Sequence, residues 1–164
     1  MKKITFILFA LIAGTTFGQS EATGTADVNA LIVMPITITN GTALNFGSIV
    51  AAEGGNVRVN TEGTRTFSNT NMEVISAEAI TAASFDITAA DQYSYSITIP
   101  SIVLSGDGND MPVSFTQDID GETDGTATGT GSLQTLKVGG LLTVASGQTT
   151  GLYEGEVTVT VAYE

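Results

Sequence analysis

Cysteine, histidine and tryptophan are absent from this chain, and it carries only three prolines and five basic residues. Without cysteine there are no disulfide staples, so stability must come from core packing and sheet hydrogen bonds. Without histidine or cysteine the usual nucleophilic triads and most proton shuttles are missing. Beyond position 20 the only cations are Arg58, Arg65 and Lys137, against all seventeen acidic residues, which leaves that part of the chain at a net charge of −14. Phosphate recognition needs clustered Lys and Arg, so nucleic acid and anionic lipid are excluded as partners. Long apolar runs are also scarce. The one at Ile4 to Gly14 is too short to span a bilayer.

That run follows Lys2 and Lys3 and precedes Thr16, Phe17 and Gly18, which offer small residues at the positions before a cleavage site. Residues 1–18 are expected to be a signal peptide cut before Gln19, with a cut after Ser20 as the alternative, and residues 19–164 a single domain. The chain is then exported, to the periplasm, outer surface or medium, with no membrane span after cleavage. About 145 residues suffice for one domain that buries roughly two-thirds of its unfolded surface.

Helical periodicity is nearly absent. Short runs of β-branched and aromatic residues alternate with Gly, Asn, Asp and Ser, which predicts an all-β, immunoglobulin-like sandwich with little or no helix. Strands are expected over residues 26–39, 43–50, 56–60, 64–67, 72–76, 84–89, 93–99, 113–117, 132–138, 141–145 and 153–163. Pro35 breaks the first of these, since it cannot donate to a central ladder. Residues 77–83 are the one stretch expected to form a helical turn. Asn40-Gly41, Glu53-Gly54-Gly55 and Glu62-Gly63 read as turns, and Gly139-Gly140 as the tight turn of a hairpin.

The last segment is the most regular. Tyr153, Gly155, Val157, Val159, Val161 and Tyr163 alternate with Glu154, Glu156, Thr158, Thr160, Ala162 and Glu164. Successive strand residues point to opposite faces, so the valines and Tyr163 should face a core or an incoming strand while the threonines face water. A long strand at the end of a chain is a natural docking edge.

Several motifs stand together: Ile36 and Ile38, then Leu44 to Ile49, Phe85 to Ile87, Tyr95 to Pro100, Leu136 to Val144, Gly151 to Gly155, and the closing Val157 to Tyr163. Their order resembles the secreted bacterial family known as domain of unknown function 4402 and covers nearly the whole chain after the leader. More distantly it resembles spore coat protein U and the archaic chaperone–usher pilins. In such pilins the final strand carries a glycine ahead of it and a penultimate tyrosine, positions that Gly151 and Tyr163 occupy here. The resemblance implies a structural subunit of a fimbria-, fibre- or coat-like assembly, built by β-strand addition through self-association or with a periplasmic pilus-type chaperone. Gly151, Val157, Val159, Val161 and Tyr163 are the assembly-strand candidates. The chain lacks the Cys pair of many pilins. Its early alternating residues, Ala22, Gly24, Ala26, Val28 and Ala30, are small, so strand donation falls to Ile32 or Met34.

The alternative is a monomeric cell-surface module that binds a ligand or calcium. Asp118, Asp120, Glu122 and Asp124, spaced around Gly121 and Gly125, are the calcium candidates, because Ca²⁺ collects six to eight oxygens from a tight loop. The match to a helix–loop–helix calcium loop ends at Gly131, where its closing Glu belongs. The same residues serve equally as a solvated acidic hairpin tip. No cofactor is expected. Carboxylates set in Gly-rich loops give no convergent acid–base pair, and Tyr93 and Tyr95, on one strand face, read as sheet packing. No catalytic residues are expected, and the chain is read as a non-enzyme.

Overall fold

A computed structural model of the protein describes residues 21–51 and 53–164. The expected leader at residues 1–18 lies outside them. The chain divides into two units, residues 1–31 and 32–164. In the first, residues 21–31 carry no regular secondary structure and are exposed.

The second unit is a two-sheet β-sandwich. Its strands are β1 Thr37–Asn40, β2 Gly55–Val59, β3 Arg65–Phe67, β4 Ala83–Thr88, β5 Ser94–Thr98, β6 Ile102–Leu104, β7 Met111–Ile119, β8 Thr126–Thr128, β9 Leu133–Val144 and β10 Thr160–Tyr163. A single 3-10 turn, Thr70–Met72, is the sole helical element among the described residues. All strand pairs are antiparallel. The larger sheet joins β1, β4, β9, β2 and β3 in that order, with β7 and β6 attached through β9; the smaller is β10-β5-β8.

The backbone of the larger sheet is β9. On one edge it pairs with β4 along Leu133–Val138 and then with β2 along Gly140–Val144; on the other it pairs with β7. The Gly139-Gly140 hairpin expected from the sequence is therefore not a turn, because the strand runs straight through both glycines. Their small size has another use. A Cβ on Gly139 would lie 2.6 Å from the Val59 carbonyl oxygen, where β2 ends and β4 begins, and one on Gly140 would lie 2.8 Å from Leu44 and Phe46. Real Cβ atoms do not approach that closely, so glycine is required for close packing here.

Alternation in each strand explains the core. Phe85 and Ile87 of β4, Tyr95 and Ile97 of β5, Ile119 of β7 and Leu136 and Val138 of β9 form one buried cluster. Val57, Val59, Met72, Val113 and Leu142 form a second, and Leu44 and Phe115 pack against both. The Glu62-Gly63 turn is as expected: Gly63 sits at φ 78°, and Asn60 Oδ1 accepts from the backbone N–H groups of Glu62 and Thr64.

Other expectations change. Residues 26–39 yield a strand only from Thr37. Residues 43–50 make one bridge, Asn45 to Thr81. They are held instead by Arg65, whose guanidinium donates to the carbonyls of Phe46, Ser48 and Val74 at 2.8, 2.8 and 2.9 Å. Residues 72–76 form no strand, because Asn69 caps the preceding 3-10 turn and buries Met72. Residues 77–83 contain no helical turn; Thr81 is tied to the Asn45 bridge and β4 starts at Ala83. The short strands β6 and β8 were not expected.

Candidate functional site

The C-terminal strand is shorter than its pattern predicts. It forms a ladder with β5 only from Thr160, paired with Thr98, to Tyr163, paired with Tyr95. Upstream it touches the sheet again at one bridge, Glu154 to Ser105. Between these points, no backbone hydrogen bond reaches Gly155–Val159 from any described residue. The cause lies in the facing chain. After β5, residues Ile99, Pro100 and Ser101 carry it from the smaller sheet to β6 of the larger one. Pro100 has no N–H to offer, and a strand that changes sheets at a corner cannot keep one neighbour in register along its whole length.

The side chains nonetheless follow the expected split. Val157, Val159, Val161 and Tyr163 are half-buried and pack on the first core cluster, whereas Glu156, Thr158 and Thr160 are exposed. Ile36, just ahead of β1, and Ile38 within it are half-buried against the same cluster. Both β1 and β10 are edge strands. The side of the sandwich lined by these two strands thus has a partly covered apolar floor, flanked by unpaired backbone.

One end of that side is clasped by Tyr163. Its hydroxyl donates to the Met34 carbonyl at 3.0 Å and accepts from the Ala90 N–H at 2.6 Å. Its ring meets Tyr93 edge-on, with centroids 6.0 Å apart. Tyr93 and Tyr95 therefore divide their roles. Tyr95 is fully buried, with its hydroxyl on Gln134, while Tyr93 is partly exposed at the clasp. Gly151 lies outside the ladder, in a bend beside Asp107, where a Cβ would meet a carboxylate oxygen at 3.1 Å.

Residues 36–163 match the family described as Domain of unknown function (DUF4402). The chain belongs to that family. No curated protein and no solved structure matches it. The DUF4402 region opens at Ile36 and closes at Tyr163, so it spans both edge strands described above.

Three of the four acidic candidates of this DUF4402 domain spend side-chain oxygens on partners within the fold. Asp118 accepts from the Gly121 N–H at 3.1 Å, and Asp120, at φ 53°, accepts from Gln134 Nε2 at 2.9 Å. Asp124 accepts from both the hydroxyl and the N–H of Thr126, bonds that hold its carboxyl below the usual range. Glu122 pairs through its backbone with Ile119. Among the described residues no three acidic side chains converge as a metal site would require.

Two roles had no sequence signal. Arg65 looks like any strand-end cation, because the three carbonyls that it gathers are distant in the chain. Gln134 is a polar residue in an inward-facing position. It is buried because Tyr95 donates to its Oε1, while its Nε2 donates to Asp120 and the Thr128 carbonyl.

Proposed function

We propose that this chain is an exported, non-catalytic structural subunit of a fimbria-, fibre- or coat-like assembly that grows by β-strand addition. The observation that carries the reading is the stretch Gly155–Val159, half-buried at Val157 and Val159, exposed between them, and without backbone partners among the described residues. An incoming strand on this side of the sandwich satisfies those groups and finishes the burial of Val157 and Val159. Edge strands left in this state are ordinarily blunted or covered. The segment ahead of Pro35 supplies a donor of the right chemistry. Ile32 is 94% exposed and belongs to no strand. Before assembly, a periplasmic chaperone of the pilus type occupies the same edge.

The test compares the mature protein with a form lacking the residues ahead of Pro35, by size-exclusion chromatography and electron microscopy. Filaments or ladders from the full-length form alone support the proposal. Monomers from both forms refute assembly, and filaments from both refute donation by that segment.

A further inference from the structure

A second feature lies away from the assembly edge. Where the chain crosses from β5 to β6, β6 covers only the first part of β7, pairing with Met111 to Val113. Beyond it, between Phe115–Asp118 and the loop before β8, opens a cleft of about 680 Å³. That volume falls within the range of roughly 300–1,000 Å³ found for small-molecule sites.

The cleft is furnished with free polar groups of both kinds. Of the three cations in the described region, Arg65 is engaged by carbonyls and Lys137 by Glu62 at 2.8 Å. The side chain of Arg58, which lines the cleft, has no hydrogen bond or ion pair among the described residues. The half-buried Gln117 amide is likewise unpartnered there. Asn60, Asp118 and Asp124 each spend one side-chain oxygen on nearby backbone N–H groups. Those bonds fix their orientation and leave the Asn60 NH2 group and the second oxygen of each carboxylate available. Ile97, Ile99 and the half-buried Phe115 add an apolar surface.

This combination selects by exclusion. A polyanion meets two carboxylates within a strongly acidic protein. A metal ion lacks a third converging acidic ligand among the described residues. A purely apolar ligand would strip water from Arg58 and the carboxylates and give nothing back. A neutral ring carrying many hydroxyls satisfies all of them, because each hydroxyl both donates and accepts and the C–H face of the ring rests on Phe115. We propose that the cleft between β7 and the loop before β8 is a binding site for a neutral saccharide, with Arg58, Gln117, Asp118 and Asp124 as its polar contacts. The inference is independent of strand addition.

The test titrates the isotope-labelled mature protein with maltose, cellobiose and N,N′-diacetylchitobiose and follows amide chemical shifts. At least one disaccharide is expected to shift Phe115, Gln117 and Thr98, with millimolar or tighter affinity. Arg58→Ala and Gln117→Ala should each weaken that binding about tenfold, while Thr39→Ala, exposed on β1 and outside the cleft lining, leaves it unchanged. Circular dichroism on each variant verifies the fold, which these exposed or unpartnered side chains do not hold together. No shift with any of the three sugars overturns the proposal, as does binding that both cleft variants leave intact.

Discussion

Replacing Gln134 with leucine tests how the two sheets are joined. Gln134 lies on β9 of the larger sheet, yet its three side-chain hydrogen bonds all cross to other parts of the fold. Tyr95 on β5 donates to it at 3.3 Å, and it donates to Asp120 at 2.9 Å and to the Thr128 carbonyl at 3.2 Å. It is only 7% exposed. A leucine fills the space but leaves the fully buried Tyr95 hydroxyl without a partner, at a cost of about 1–3 kcal/mol. Asp120 can turn to water, and the added apolar contact offsets part of the loss, so the net expectation is about 2 kcal/mol of destabilisation. Tyr95→Phe removes one long neutral bond and should cost about 1 kcal/mol. In the double variant no buried hydroxyl remains unpaired, so the combined cost should fall short of the sum by about 1 kcal/mol. Urea unfolding of the monomer measures this: the midpoint drops while the slope stays constant. A Gln134→Leu protein within about 0.5 kcal/mol of the parent, or strict additivity, would refute the reasoning.

Three further outcomes follow from the same geometry. Val159→Asp places a charge on the core cluster and should cost at least the half-burial of a valine, about 1 kcal/mol, whereas the outward-facing Thr158→Lys stays within about 0.5 kcal/mol; paired urea melts compare them. Arg65→Lys cannot reproduce the planar fork to Phe46, Ser48 and Val74, nor the guanidinium stacked 4.7 Å over Phe67, so thermal or urea melts should show a loss of about 2 kcal/mol. Burial, and secondarily the charge of Asp120, raises the Tyr95 phenol above its ordinary value. The folded value exceeds the unfolded value of about 10, so the stability tied to it is complete below that pH and lost as pH climbs through the folded value; Tyr95→Phe should flatten this alkaline limb in unfolding measured across pH.

Much of this architecture was legible because alternation survives wherever one strand face is buried. The pattern at Phe85 and Ile87, at Tyr95 and Ile97, and at Val157 to Tyr163 assigns the inner faces correctly. Length was less legible. The alternation that continues through Tyr153 to Val159 specifies a face but not a neighbour, and the neighbour is lost where Pro100 redirects the facing chain. Glycine misled at Gly139-Gly140, since two adjacent glycines suit a tight turn and a crowded strand junction equally well. Residues 43–50 have strand composition, but Arg65 takes up three carbonyls of that segment and of Val74, a tertiary effect without local trace. The three-residue strands β6 and β8 carry too little pattern to register, whereas the equally short β3 follows the Glu62-Gly63 turn that announced it. The cleft beside β7 arises from the crossover itself and has no motif.

The most direct measurement of the central claim is amide hydrogen exchange at Gly155–Val159, in the monomer and in the assembled form. These amides have no backbone partner among the described residues, so they should exchange rapidly in the monomer while β9 is protected. Strand addition predicts that protection appears across Gly155–Val159 on assembly, with β9 unchanged. Assemblies in which those amides still exchange as fast as in the monomer would contradict the account.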